Sequence, residues 1–179
     1  MIEEFQPISN FLSSSAETAF YELLNLEQAK LVTIQLIDQA MSTIQISSLS
    51  LGYFHDIKDH LKRSILEKDV KVRILLADQK RLKPYLVQEL HDTMDKISRL
   101  LRELQQKANN LQVRFWDLDD WESDEPPLRA TIVDGSSAVF LLWPKKGTSS
   151  QGRSHYMTEI NLAEYLQHSF DLFWVRAKR

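Results

Sequence analysis

The sequence predicts an α/β fold: a single mixed, largely parallel sheet flanked by helices. Two observations carry this expectation. Strand-like and helix-like periodicities alternate along most of the chain. In the first half, "TIQISSLSL" (43–51), "YFHDIKDHLKRSILEK" (53–68) and "VKVRILLAD" (70–78) form a strand–helix–strand succession, whose default topology is a right-handed parallel crossover.

Residues 1–14 read as an irregular lead-in, and 15–179 as one domain. Ser15, followed by Ala16 and Glu17, suits a helix start. Phe20, Leu23, Leu24, Leu31, Ile34, Ile37 and Met41 then recur at helical spacing, predicting one or two helices ending near Ala40. In the first strand Ile44 and Ile46 point one way, and Thr43 and Gln45 the other. The next helix carries Phe54, Ile57, Leu61 and Ile65 on one face. Pro84 opens a long helix to about Ala108, with Leu86, Leu90, Met94, Ile97, Leu101 and Leu104 in one stripe. Asn109 and Asn110 stop it before the strand "LQVRFW". An acidic loop, "DLDDWESDEPP", leads into a hairpin, "LRATIVD" and "AVFLLW", turning at Gly135 and Ser136. A Gly/Ser-rich loop then precedes "HYMTEI" and a closing helix from Asn161.

Composition narrows function by exclusion. With 179 residues the chain can bury a real core. It has no cysteine, so disulfides and thiolate metal sites are out, and a reducing cytoplasm is the expected setting. A net charge of −3 gives no general attraction to nucleic acid or anionic membrane. The N-terminus lacks an apolar signal core, and no run reaches membrane-spanning length.

The order of elements, the stretch "DVKVRIL" (69–75), a strand ending "IVDG" and a last helix of the form Phe-x-x-x-Trp together resemble one half of the phospholipase D superfamily fold. The catalytic signature of that superfamily is His-x-Lys, four residues, then Asp. The resemblance places Arg129 at the lysine and Asp134 at the aspartate, but the histidine position holds Pro127. The later Gly-Ser-x-Asn element is absent from "AVFLLW". The resemblance is nearest to the effector-binding domains of TrmB-type archaeal regulators, which lack the signature, bind sugars near the former site and follow a winged-helix domain. Residues 1–26 are too short to supply such a domain, so DNA would be reached only through a separate domain or partner. Single-half members commonly associate as dimers, which implies a homodimer.

These residues imply binding rather than catalysis, since proline offers no nucleophile. Catalytic residues, metal ligands and cofactors are expected to be none. The candidate ligand-binding residues are Ser47, Ser48, Arg129, His155, Thr158 and Glu159, with Tyr53 or Trp116 as an aromatic wall. Hydroxyls, a carboxylate and an aromatic at strand ends suit a small polar metabolite such as a polyol. Each also has a plain structural reading: serines favour turns, Glu159 can cap the last helix, and Asp134 before Gly135 is an ordinary turn acid. An offset of five along a strand puts Arg129 and Asp134 on opposite faces. His55 with Asp59, and Asp56 with His60, have metal-ligand spacing on a helix but fit surface pairing better. The acidic loop lacks the glycine and glutamate positions of a calcium loop. The alternatives to a sensor domain are a protein-interaction or homodimerisation module, with the long helix 84–108 as its surface, and a phosphodiesterase using His155 as substitute nucleophile.

Overall fold

The computed structural model describes residues 20–23, 26–48, 53–78, 88–116, 129–142, 153–157 and 160–177. In chain order the elements are β1 (Phe20–Leu23), α1 (Leu26–Gln39), β2 (Thr43–Ser48), α2 (Phe54–Leu66), β3 (Lys71–Ala77) and α3 (Gln88–Lys107). There follow β4 (Leu111–Trp116), β5 (Arg129–Val133), β6 (Ser137–Leu142), β7 (Arg153–Met157) and α4 (Ile160–Arg176). The seven strands form one mixed sheet in the order β1-β7-β6-β5-β2-β3-β4, with helices on both sides.

The parallel character holds in one half of the sheet, where β2 pairs with β3 and β3 with β4. The other half is antiparallel, because the short reversal between β5 and β6 brings each new strand back beside the last. Asp134 (φ 52°) and Gly135 (φ 65°) supply the two positive φ angles a tight hairpin reversal needs, and Ser136 N–H donates to the Val133 carbonyl at 3.1 Å.

One expectation fails at the N-terminal end. Phe20–Leu23 is an edge strand paired antiparallel with β7, and the helix starts only at Leu26. A four-residue strand directly before an amphipathic helix shares its spacing closely enough to be absorbed into it, and pairing with β7 overrides the local preference. The lead-in 1–14, Ser15 and Pro84 lie outside the described residues.

Residue parity sorts the core into two layers. Ile44 and Ile46 of β2 and Val72, Ile74 and Leu76 of β3 pack beneath α1 and α2, through residues such as Leu36, Ile37, Ile57, Leu61 and Ile65. On the other face Leu75, Ala77, Trp116, Ala130, Ile132 and Phe140 pack against Ala163, Leu166, Phe170, Phe173 and Trp174 of α4. The α3 stripe is spent inside the molecule: Ile97, Leu101 and Leu104 join the first layer and Met94 the second. The long helix therefore does not offer Leu101 to a second chain.

Two of the fragments behind the family resemblance meet in space. Arg73, inside "DVKVRIL", sits with its guanidinium 5.2 Å from the Phe170 ring centre and 5.5 Å from that of Trp174, and 2.8 Å from the Asp171 carboxylate. Arg114 lies 4.7 Å from the Trp174 ring and donates to the Trp174 carbonyl, at 2.6 Å, in the last turn of α4. Cation–π attraction and a cation at a helix C-terminus both favour this arrangement. The Phe-x-x-x-Trp spacing thus stacks two rings (centroids 5.6 Å apart) over a pair of arginines and fixes α4 on the sheet.

Candidate functional site

In open α/β sheets, ligand sites gather beyond the carboxyl ends of the parallel strands. At that end of β2, the antiparallel register pairs Ser47 with Ala130 and brings Arg129, the first residue of β5, alongside the strand terminus. Parity puts Arg129, Thr131 and Val133 on the α1–α2 face, because Thr131 and Val133 pair with Ile46 and Ile44.

Tyr53 closes the cluster. It occupies the residue before α2, where a small side chain usually caps the first turn, but makes no capping bond. Its hydroxyl instead hydrogen-bonds the side chain of Thr131, near the Arg129 guanidinium. Burial raises the Tyr53 pKa above its ordinary value, against the opposing pull of the Thr131 bond and the Arg129 charge. Burial lowers Arg129 from its ordinary value to about 10, with Tyr53 acting in the other direction. At neutral pH the site therefore holds a charged, half-buried guanidinium beside a neutral phenol.

The six predicted residues do not all converge. Ser48 ends β2 on the same side of the sheet as Arg129. Ser47 is buried on the opposite face, in a lateral row that runs His155, Phe140, Ala130, Ser47, Leu75 and Arg114 across six strands. His155 is buried in that row and stacks on Phe140 with ring centres 5.5 Å apart, on the α4 side. Three strand spacings, about 14 Å, separate the His155 and Ser47 backbones. The whole sheet lies between His155 and Arg129. Thr158 and Glu159 lie outside the described residues. Of the two aromatic candidates, Tyr53 meets Arg129, whereas Trp116 is buried on the α4 side. Thr131 was missed by sequence reasoning, although its offset of two from Arg129 was the signal that both share a face.

Asp134 serves the opposite end of β2. Its carboxylate accepts from the backbone N–H groups of Met41 (2.9 Å), Ser42 (2.8 Å) and Thr43 (2.8 Å), and from the Ser42 hydroxyl (2.8 Å). Burial alone would raise its pKa, but these donors outweigh that effect and hold the carboxyl below its usual range. Asp134 thus clasps the α1–β2 connection, and Arg129 and Asp134 line no common pocket.

Asp56 and His60 of "HDIKDH" are likewise taken up elsewhere. His60 Nδ1 lies 2.8 Å from Asp38 on α1, and Asp56 3.5 Å from Lys30. Both are ties between α1 and α2. Among the described residues, no helix is long and apolar enough to cross a membrane.

Strand order and face parity define a mixed-sheet α/β domain, and its likeness to solved structures shows the fold to be phospholipase D-like. Among solved structures, the chain is similar to TrmBL2, an archaeal chromatin protein described as showing a novel mode of DNA binding. The two share 17% identity over 96% of this chain and 57% of that one, with a TM-score of 0.59. It is also similar to Nuc, a phospholipase D family member from Salmonella typhimurium, at 15% identity over 90% of this chain and 97% of that one (TM-score 0.57). NucT from Helicobacter pylori matches at 13% identity over 90% and 98% (TM-score 0.57). The chain thus spans little more than half of TrmBL2 and nearly all of Nuc and NucT. At these identities the likeness is one of fold. No protein-family model and no curated protein matches the sequence.

Proposed function

We propose that this chain is a non-catalytic, cytoplasmic regulatory domain that binds a small polar effector where β2 ends and β5 begins. The observation that carries the reading is Arg129, kept charged and half-buried beside Tyr53 and Thr131, with proline at the position two residues earlier where the family signature has its nucleophile. A cation held at an energetic cost, next to hydroxyls at a strand end, is suited to orienting a polar ligand. The placement of His155 on the far side of the sheet argues against its use as a substitute nucleophile with Arg129. Ser48 belongs to this site; Thr158 and Glu159 remain proposed contributors, while Ser47 and His155 would need a ligand on the α4 side. DNA, which TrmBL2 is described as binding, would be reached through a separate domain or partner, in keeping with the net charge of −3.

Thermal denaturation against a panel of sugars, polyols and anionic metabolites tests this. A ligand bound only by the native state raises the melting temperature, by about 2.7 kcal/mol of stability at a hundred times its Kd. The gain should vanish in Arg129→Gln. A panel without any shift, or shifts indifferent to Arg129→Gln, refutes the site.

A second reading, a self-associating module that needs no small ligand, is supported by apolar side chains on the outer face of α4.

A further inference from the structure

The α4 face of the parallel strands changes character along its length. Near the carboxyl ends it is apolar, with Leu75, Ala77 and Trp116 packed under α4. Toward the amino ends Thr43 pairs with Lys71, and Gln45, Arg73 and Gln112 stand side by side across β2, β3 and β4. Residues paired in this way share a face, so polar side chains stand where the core would otherwise continue.

Gln45 has no structural reason to be polar. It is 3% exposed on an interior strand, and its buried Oε1 accepts no hydrogen bond among the described residues. A buried acceptor left unsatisfied is destabilising, and native interiors keep few of them. A branched apolar residue would suit the position better.

Gln45 lines a hollow of about 820 Å³ under the amino ends of the three strands, a size that suits a small molecule. Three cations, Lys71, Arg73 and Lys107, line it against one acid, Asp69. Arg73 is already engaged by Asp171, which leaves the exposed Lys71 and Lys107 as the charges on offer. Ile65 and Leu66 give the lining an apolar part. The frame is fixed by hydrogen bonds. The Asn110 amide donates to the carbonyls of Ile65 (2.9 Å) and Val70 (3.0 Å), and Lys71 N–H donates to the Ser42 carbonyl at 2.9 Å. The end of α2, the start of β3 and the turn before β4 are thereby held together.

We infer that this hollow is a second ligand site, for a small hydroxylated anion whose phosphate or carboxylate meets Lys71 and Lys107. A ligand hydroxyl donating to Gln45 supplies the bond that the amide lacks. The site lies at the opposite end of β2 from Arg129 and does not depend on the effector reading. Two free lysines in a concave setting fit a small anion better than a nucleic-acid backbone, which needs an extended row of cations.

Isothermal titration of the full chain with glycerol 3-phosphate and malate tests this, with glycerol and inorganic phosphate as controls. At least one of the two hydroxylated anions should bind with a Kd of about 1 mM or below, and glycerol should not. The preferred one tells phosphate from carboxylate. Lys71→Gln combined with Lys107→Gln, two surface changes that leave the core intact, should weaken binding about ten-fold. Gln45→Leu should weaken the hydroxylated anion by a similar factor without weakening inorganic phosphate, and Arg129→Gln should change neither. Failure of both anions to bind, or binding indifferent to the lysine pair, overturns the site. Binding lost in Arg129→Gln also overturns it, because the anion then sits at the other end of β2. Heparin or DNA held through the lysine pair, with no small anion bound, replaces the site by a polyanion surface. Full affinity in Gln45→Leu overturns the role given to that amide.

Discussion

Replacing Arg129 by methionine should leave the fold intact and raise its stability. The guanidinium pKa falls by between two and three pH units, to about 10, on burial beside Tyr53. At about 1.36 kcal/mol per pH unit, holding the charge there costs on the order of 3 kcal/mol. Solvent at this partly exposed site screens that figure, and methionine replaces only part of the arginine stem, so the net gain expected is about 1 kcal/mol. For a chain of this size that is about 2–4 °C in Tm. The sign depends on pH in a defined way. Below about pH 10 arginine is protonated both folded and unfolded, so the full cost is present at neutral pH. Above about pH 10 the folded state sheds its proton more readily than the unfolded one, and the advantage of methionine shrinks. Denaturant unfolding of both proteins at pH 7 and pH 10.5 measures this directly. A loss of 2 kcal/mol or more in Arg129→Met at pH 7 would show the guanidinium to be a structural tie, and would remove the main support for a ligand site.

Asp134→Ala should cost about 2–4 kcal/mol, since it strands three backbone donors and puts alanine at a positive φ. Asp134→Asn should cost less. Because the folded carboxyl has a lowered pKa, its contribution is present above the unfolded value of 3.8 and lost as pH falls through the folded one. Wild type and Asp134→Asn should therefore converge in acid titrations of stability. Arg73→Ala should lose about 1–2 kcal/mol in urea unfolding and loosen α4, seen as faster amide exchange, with Arg73→Lys intermediate because an ammonium stacks less well. Gly135→Ala should lose about 1–2 kcal/mol, as a β-carbon there meets Gln167 Oε1 at 3.0 Å with φ at +65°. Bis-p-nitrophenyl phosphate should be hydrolysed no faster than background; turnover abolished by His155→Ala would reinstate an enzyme.

Much of this architecture was legible in the chain. The β2–α2–β3 unit, the two core faces of β2 and the hairpin follow from local periodicity and turn chemistry, which act over a few residues. The strands β1 and β7 were not legible, because each exists through its pairing with the other and with β6, and nothing in "FYEL" separates it from the helix that follows. The site was half legible. Strand ends point to where a ligand would sit, but Ser47 and His155 were assigned by end and not by face. The odd numbering of Ser47 against core-facing Ile44 and Ile46 already placed it with Gln45, on the other side of the sheet. For His155 no such parity could be read, since its register depends on Phe140, a partner fixed only by the folded sheet.

The Asp134 clasp bears on what an acid at a strand end can mean. Its carboxylate belongs to the foundation of the domain, at the foot of β2, where it gathers three backbone donors and a hydroxyl. Folding alone is reason enough to keep such an acid. Its presence therefore records architecture, and is no evidence of chemistry by itself.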